Sequence, residues 1–124
     1  MIYRYALSYL ETWKKNPMRK PLILRGARQV GKTTLVENFA TEFDCFLKLN
    51  LDEEEDRLLF TRYKEIHRLI EAIFFHLQKN PTEGSTLLFI DEIQNSPEAV
   101  AILRYFHEKR PDIYVIAAGS LLEN

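Results

Sequence analysis

Apolar side chains recur along the chain at two different spacings, which predict helices that alternate with strands. Stripes of residues three or four apart predict four amphipathic helices, formed by Ile2, Ala6, Tyr9, Leu10 and Trp13, by Leu35, Val36, Phe39, Ala40 and Phe43 within residues 32–43, by Ile66, Leu69, Ile70, Ile73, Phe74 and Leu77, and by Val100, Leu103 and Phe106. Short, almost wholly apolar runs predict buried strands at residues 22–25, 45–51, 86–91 and 113–117. This alternation indicates an α/β domain whose parallel sheet is covered by helices on both faces.

Proline and serine residues mark several boundaries of these elements. Pro17 ends the first helix, because proline disfavours helical backbone in the residue before it. Ser96 is suited to cap the last predicted helix, and Pro97 is suited to its first turn. At 124 residues, the chain has the length of a single domain. We therefore divide it into an N-terminal helix with a basic linker, residues 1–20, and a core, residues 21–124.

A glycine-rich motif lies between the first predicted strand and the helix that follows. It fits the pattern G-x-x-x-x-G-K-[ST] and consists of Gly26-Ala27-Arg28-Gln29-Val30-Gly31-Lys32-Thr33. The two glycines permit backbone angles that are closed to other residues, so that main-chain N–H groups can surround a phosphate. Lys32 is expected to reach the β- and γ-phosphates, and Thr33 is expected to coordinate Mg²⁺ at the start of the helix. The motif therefore predicts a nucleoside triphosphate site.

Two carboxylates follow the third predicted strand, at the edge of the sheet where ligands bind. We expect Asp91 to hold Mg²⁺, directly or through water, and Glu92 to orient and deprotonate an attacking water. Both lie close to the glycine-rich loop if the first and third strands are side by side. Ser120 would lie beside them if the third and fourth strands are neighbours, and its hydroxyl could then sense the γ-phosphate or hold the water. The alternative for Ser120 is a cap of the next turn.

Composition sets the class of protein but excludes few functions. The chain is 46% hydrophobic and 28% charged, with a formal net charge of −1, which is typical of a soluble globular protein. It shows no basic excess that would require nucleic acid, so a nucleic-acid partner stays undecided. Neither a membrane span nor a signal peptide is present in the sequence, so we expect a cytoplasmic protein without a membrane partner.

Three further features have ordinary structural explanations. Basic residues predominate in residues 1–34, where they could attract a nucleotide or form a solvated face. The acidic run at residues 52–56 suits the start of a helix. Cys45 lies in an apolar segment and is expected to be buried. Surface or helix-flank positions without metal are expected for the histidines, which have no metal-ligand spacing, namely His67, His76 and His107.

Taken together, the motifs resemble those of a known family. The strings that carry the resemblance are Leu24-Arg25-Gly26-Ala27-Arg28-Gln29-Val30-Gly31-Lys32-Thr33, Phe89-Ile90-Asp91-Glu92-Ile93-Gln94 and Gly119-Ser120. They resemble the N-terminal ATPase module of prokaryotic AAA-type ATPases, which is commonly joined to a C-terminal domain of unknown function. The resemblance implies a three-layer P-loop NTPase fold that binds ATP with Mg²⁺ and hydrolyses it to ADP and phosphate. It further implies a Walker A loop from Gly26 to Thr34, a Walker B pair at Asp91 and Glu92, and a first sensor at Ser120.

The family pattern extends beyond this chain. Such modules have a fifth core strand, further helices and usually an arginine finger from a neighbouring subunit, so the resemblance implies a fold truncated after the fourth core strand. We expect the chain to bind ATP but to hydrolyse it slowly unless a homo-oligomer or the missing C-terminal domain supplies the arginine. Arg104, Lys109 and Arg110 could act in trans on a neighbour, although helices with three basic residues are more often simply solvated.

Two other functions are open at this point. A P-loop kinase would use the same loop, but it needs an acceptor-binding lid, and the sequence contains no arginine-rich lid segment. A non-hydrolysing nucleotide switch would order the basic N-terminal helix for a protein or DNA partner. Glu92 argues against the switch, because a base that activates water serves hydrolysis. Phosphate release measured with and without an acceptor separates the three functions.

Overall fold

The computed structural model describes residues 2–25 and 30–120, in which helices alternate with strands as predicted, except that two helices instead of one lie between the second and third strands. The helices are α1 (Ile2–Lys15), α2 (Val30–Phe39), α3 (Glu54–Arg62), α4 (Ile66–His76) and α5 (Pro97–Lys109). The strands are β1 (Leu22–Arg25), β2 (Cys45–Asn50), β3 (Thr86–Asp91) and β4 (Ile113–Gly119). Short 3₁₀ turns follow α2 at Ala40–Glu42 and β3 at Ile93–Asn95.

The four strands form a parallel sheet in the spatial order β1-β4-β3-β2. Ala117 of β4 lies opposite Ile23 of β1 on one side and opposite Ile90 of β3 on the other. The first and third strands are therefore not side by side, whereas the third and fourth strands are neighbours, which is the condition stated for placing Ser120 near the acidic pair. Burial explains the arrangement, because β4 is almost entirely buried whereas β1 is only half-buried. All four carboxyl ends lie along one edge of the sheet.

Helices cover both faces of the sheet, and alternate side chains of β3 show how the two layers divide. Leu87 and Phe89 belong to a cluster on the face covered by α1 and α2, which also contains Leu10, Leu35, Val36, Phe39, Ala40, Ile116 and Ala118. Leu88 and Ile90 belong to the cluster on the opposite face, to which α3, α4 and α5 contribute side chains that include Leu59, Phe60, Leu69, Ile73, Leu103 and Phe106. This alternation follows from the two-residue period of a strand. The predicted three-layer α/β fold is confirmed.

Helix α1 contacts the rest of the domain through a narrow stripe. Leu10 is buried, and the Trp13 ring lies 6.0 Å from that of Tyr114 in an edge-on arrangement. The indole Nε1 of Trp13 also donates a 2.8 Å hydrogen bond to the carbonyl of Lys20, which holds the basic linker against the helix. Tyr9 shares the apolar spacing of α1 but is 61% exposed, so it does not belong to the buried stripe. The buried stripe is too narrow to include Tyr9, because α1 lies at the margin of the sheet, where β1 is only half-buried.

Several boundaries differ from the predicted ones. Helix α2 starts two residues early and stops at Phe39, because the 3₁₀ turn intervenes and Phe43 is already extended on its way into β2. Strand β4 continues to Gly119, whereas β2 ends one residue early and α4 stops at His76. The acidic run contributes the first turn of α3, a separate helix. Val100 is 39% exposed, so its assignment to the core stripe of α5 is wrong.

The cysteine and the histidines occupy different kinds of position. Cys45 is buried, as predicted. His67 is exposed, as expected, but His76 and His107 are both half-buried. His76 contacts Asp56 through its Nε2, 2.7 Å from Oδ1, because the end of α4 packs against the start of α3. Within residues 2–25 and 30–120, no helix combines the length and the apolar character needed to cross a membrane.

Candidate active site

The two elements that flank the glycine-rich motif meet the carboxyl edge of the sheet. Strand β1 ends there at Arg25, and α2 begins at Val30. The first turn of α2 contains the last part of the motif and the residue after it, from Gly31 to Thr34. The phosphate contacts predicted for the intervening part of the loop fall outside the described residues, at Gly26, Ala27, Arg28 and Gln29. The backbone of Val30 is described as the first residue of the helix.

The first turn of α2 is suited to an anion. The first N–H groups of a helix have no acceptor within the helix, and together with the positive end of the helix dipole they favour negative charge. No acidic side chain lies in this turn. Lys32 and Thr33 are half-buried, whereas Thr34 is exposed. Among the described residues, a Cβ atom added to Gly31 would meet no atom within 4 Å apart from its chain neighbours and its own helix backbone, and the φ of Gly31 lies outside the left-handed range. Gly31 therefore does not use the left-handed backbone angles that glycine permits, and open space lies beside its backbone among the described residues.

A hydrogen bond joins the helix start to the end of β3. The hydroxyl of Thr33 donates to Oδ2 of Asp91 at 3.2 Å, across 58 residues of sequence. The other carboxylate oxygen, Oδ1, accepts a 2.9 Å hydrogen bond from the backbone N–H of Glu92. Both oxygens of Asp91 are therefore oriented by the fold. The structure brings Thr33 and Asp91 together even though β4 separates the strands that precede them.

Glu92 adopts an uncommon backbone conformation. Its φ of 54° and ψ of 45° lie in the left-handed helical region, which costs a residue with a Cβ atom about 1–2 kcal/mol. The strain is held in place from both sides, because Asp91 fixes the Glu92 N–H and the 3₁₀ turn that follows contains the fully buried Ile93. The half-buried side chain of Glu92 accepts a 2.9 Å hydrogen bond from Nε2 of Gln94. Strained backbone of this kind clusters at functional sites.

The end of β2 lies at the same edge of the sheet. Its residues were not predicted from the sequence to be part of the site. Asn50 pairs with Asp91 in the sheet register, and the N–H of Leu51 donates to the carbonyl of Asp91 at 2.9 Å. The N–H of Asn50 donates to Oδ2 of Asp56, also at 2.9 Å. Asn95 then links the 3₁₀ turn after β3 to this loop. A polar residue at the end of an apolar strand, as at Asn50, is the signal that could have identified this contribution.

Ser120 lies directly after β4 and is half-buried. The register pairs Ile90 with Ala117, so Asp91 is one residue beyond the last pair and Ser120 is three residues beyond it. Ser120 therefore lies roughly 7 Å further along the strand direction than Asp91, given a rise of about 3.3 Å per residue. It shares the carboxyl edge of the sheet with the acidic pair, directly after the strand that lies between β3 and β1.

The basic residues near the end of α5 have partners within the chain. Arg110 forms two 3.0 Å hydrogen bonds with the carboxylate of Asp112, which raise the pKa of the guanidinium and lower that of the carboxyl. Arg104 lies 4.0 Å from Glu108 and 5.2 Å from the ring centre of Tyr105. These contacts are those of a solvated helix surface.

The side-chain oxygen atoms of Thr33, at the start of α2, and of Asp91, at the end of β3, fit a magnesium ion that accompanies a phosphate. Mg²⁺ prefers oxygen ligands, and it usually binds one or two protein groups together with water and substrate phosphates. The Thr33 hydroxyl and the Asp91 carboxylate supply such oxygens, 3.2 Å apart and partly accessible. The donor set therefore fits the ion.

Comparison with known proteins gives one result that covers most of the chain. A family model described as AAA domain matches residues 18–124. The matched region begins in the linker after α1 and includes β1, the glycine-rich motif, the acidic pair and Ser120. No curated protein matches the chain.

Proposed function

Because the chain belongs to the AAA domain family, whose members are nucleotide-binding modules of the ATPase type, we propose that it binds ATP with Mg²⁺ and hydrolyses it to ADP and phosphate. The observation that carries this proposal is the 3.2 Å hydrogen bond between Thr33 and Asp91. It joins a hydroxyl at an anion-binding helix start to a carboxylate 58 residues away in sequence. An ordinary turn after a strand gives no reason for this contact.

In the proposed complex, the first turn of α2 binds the phosphates of ATP. The N–H groups of this turn donate to phosphate oxygens, and the open space beside Gly31 allows the phosphates to approach the backbone. The ammonium of Lys32 neutralises charge on the β- and γ-phosphates. Mg²⁺ held by Thr33 and Asp91 would offset further negative charge when bound. Thr34, the next residue of the helix, is exposed, and its backbone belongs to the same phosphate-binding turn.

Glu92 is the proposed base for the attacking water. Its carboxylate accepts a proton as the water oxygen bonds to the γ-phosphorus, and the oxygen bridging to the β-phosphorus leaves with the electron pair of the broken bond. Ser120 is the proposed sensor of the γ-phosphate from the neighbouring strand. A transition-state arginine would come from a second subunit or from another part of the same protein, since Arg104 and Arg110 are engaged at the surface of α5.

Binding and hydrolysis are tested separately. ATP with Mg²⁺ at one hundred times its dissociation constant should stabilise the folded chain by about 2.7 kcal/mol. Lys32→Ala should remove most of this stabilisation, whereas Lys64→Ala, which changes an exposed lysine between α3 and α4, should leave it intact. If ATP stabilises wild type and Lys32→Ala equally, the assignment of Lys32 to the ATP site is refuted.

For hydrolysis, Glu92→Gln keeps the shape of the side chain but removes the base. Phosphate release should fall about 10² fold or more, while ATP binding persists. Release that requires an added acceptor would indicate a kinase instead. If the wild type binds ATP but releases no phosphate, even when every other part of the protein is present, the result would indicate a nucleotide switch.

A further inference from the structure

We propose that Gln94 is a positioning residue that sets the direction of the Glu92 carboxylate; this inference rests on the proposed function of Glu92 as the base. The Nε2 of Gln94 donates to Oε1 of Glu92 at 2.9 Å, which is a good length for an N–H···O hydrogen bond. An ionised carboxylate has only acceptors, so the amide must turn its NH₂ group toward it. The contact therefore fixes the orientation of the amide as well as that of the carboxylate.

The backbone of Gln94 is held on both sides. Ile93 is fully buried, and the N–H of Asn95 donates to the carbonyl of Glu92 at 3.1 Å. The side chain of Asn95 donates to Oδ1 of Asp52 at 2.7 Å, which ties the 3₁₀ turn to the loop after β2. Gln94 thus projects from a segment with little freedom. A rigid support is what a residue needs in order to orient a catalytic group.

The orientation of the amide has a consequence for stability. With Nε2 directed at Glu92, the Oε1 atom of Gln94 is buried, and no group among the described residues donates a hydrogen bond to it. A buried acceptor without a donor is unfavourable, and an apolar side chain of similar shape would avoid that cost. Glutamine is therefore a poor choice for packing at this position. The hydrogen bond to Glu92, unlike packing, gives a reason for a glutamine here.

The left-handed backbone of Glu92 explains why its carboxylate needs a hydrogen bond to hold its direction. In that conformation the side chain leaves the strand in a direction unlike that of an extended residue. Glu92 has several side-chain torsions, and it loses rotamer freedom when one direction is imposed. A donor two residues along the chain restricts the carboxylate before ATP binds. This reduces the reorganisation needed when the water attacks the γ-phosphorus.

The test compares Gln94→Met with wild type in three measurements on the same preparation. We expect the melting temperature without ligand to be unchanged or higher and the dissociation constant for ATP with Mg²⁺ to change less than twofold. We expect the rate of phosphate release in a single turnover of radiolabelled ATP to fall about tenfold or more. A merely structural role predicts the reverse pattern, with a lower melting temperature and an unchanged rate.

A double-mutant comparison shows whether Gln94 acts through Glu92. In a Glu92→Gln background, Gln94→Met should cause no further loss of rate, because the carboxylate that it orients is already absent. A further tenfold loss there, or a wild-type rate for Gln94→Met alone, would overturn the proposal. If Gln94→Met does not fold, Gln94→Glu retains the size of the side chain and replaces the donor by an acceptor; it should show the same loss, and a normal rate would refute the proposal. Failure of the wild type to bind ATP at all would instead refute the underlying function.

Discussion

Substituting Gly31 by alanine separates what the fold requires from what a ligand requires. Among the described residues outside its own helix backbone and chain neighbours, the added Cβ meets no atom within 4 Å, and the residue is the second of a helix, with a φ outside the left-handed range. Alanine is more favourable than glycine by about 0.5–1 kcal/mol inside a helix, and the first turn should give the lower end of this range. For a domain of this length, about 0.5 kcal/mol corresponds to a rise of roughly 2 °C in melting temperature. We therefore expect Gly31→Ala to stabilise the protein without ligand slightly.

The same methyl group should weaken ATP binding, because it fills the space through which a phosphate approaches the backbone. A tenfold loss of affinity corresponds to about 1.4 kcal/mol. At an ATP concentration one hundred times the wild-type dissociation constant, the stabilisation by ligand should then fall from about 2.7 to about 1.4 kcal/mol. Thermal unfolding with and without ATP and Mg²⁺ measures both quantities in one experiment.

Gly84→Ala is the matched control. A Cβ atom at Gly84 would overlap the Asp44 carboxylate, which accepts a hydrogen bond from the N–H of Ser85 at 2.8 Å. This variant should lower the melting temperature without ligand but retain the full stabilisation by ATP. The reasoning fails if Gly31→Ala destabilises the protein by more than about 1 kcal/mol, which would make the glycine structural. It also fails if the variant binds ATP as tightly as wild type, because the phosphates would then lie elsewhere.

Three further predictions concern the metal, the capping of α4 and the arginine. Thr33→Val removes the hydroxyl bonded to Asp91, so ATP affinity measured with Mg²⁺ and with a chelator should become nearly equal; a wild-type dependence on Mg²⁺ would contradict the assignment. Glu65 caps α4, and hydrogen bonds from the His67 side chain and then from the His67 and Arg68 N–H groups lower its pKa from 4.5 to about 2. Its stabilising effect is therefore complete above about pH 4.5 and is lost as the pH falls toward 2, so Glu65→Gln should lower the melting temperature at pH 7 but converge with wild type near pH 2. Phosphate release by the chain alone should be slow, because a transition-state arginine is worth about 10³–10⁵ in rate; turnover that rises with protein concentration and is lost in Arg104→Ala would show that α5 supplies it.

The sequence was sufficient to predict the four described strands and the helices α1, α2, α4 and α5, because their apolar patterns are strong, but α3 was not predicted as a separate helix. Strand β3 was predicted with its observed bounds, since every residue before Asp91 is buried and a charged residue ends the run. The order of the strands could not be predicted, because all four are short and apolar and no local feature records which neighbour each one pairs with. Tyr9 shows a second limit: it fits the stripe of α1, but the depth of packing depends on how far the sheet extends beneath the helix.

The candidate site shows the same division between local and distant information. Thr33 and Asp91 were predicted from motifs whose chemistry depends on residue type, and the structure places them in contact. The contributions of Asn50 and Asp56 were missed, because their roles arise from the packing of β2 against α3. Gln94 was within a string that we quoted for the resemblance, yet its contact with Glu92 depends on a left-handed backbone that the residue type does not predict.

The position of β4 has a consequence for how the chain folds during synthesis. Among the strands that the structure describes, β1 pairs only with β4, and Ile23 lies opposite a residue 94 positions later, Ala117. At about 5–20 residues per second, a ribosome needs roughly 5–20 s to add that many residues. Throughout this interval the apolar residues of β1 have no strand to join, and contacts this distant in sequence form slowly. The nascent chain therefore needs protection from aggregation until β4 emerges, and the edge of the sheet at which Thr33 and Asp91 meet cannot assemble before that moment.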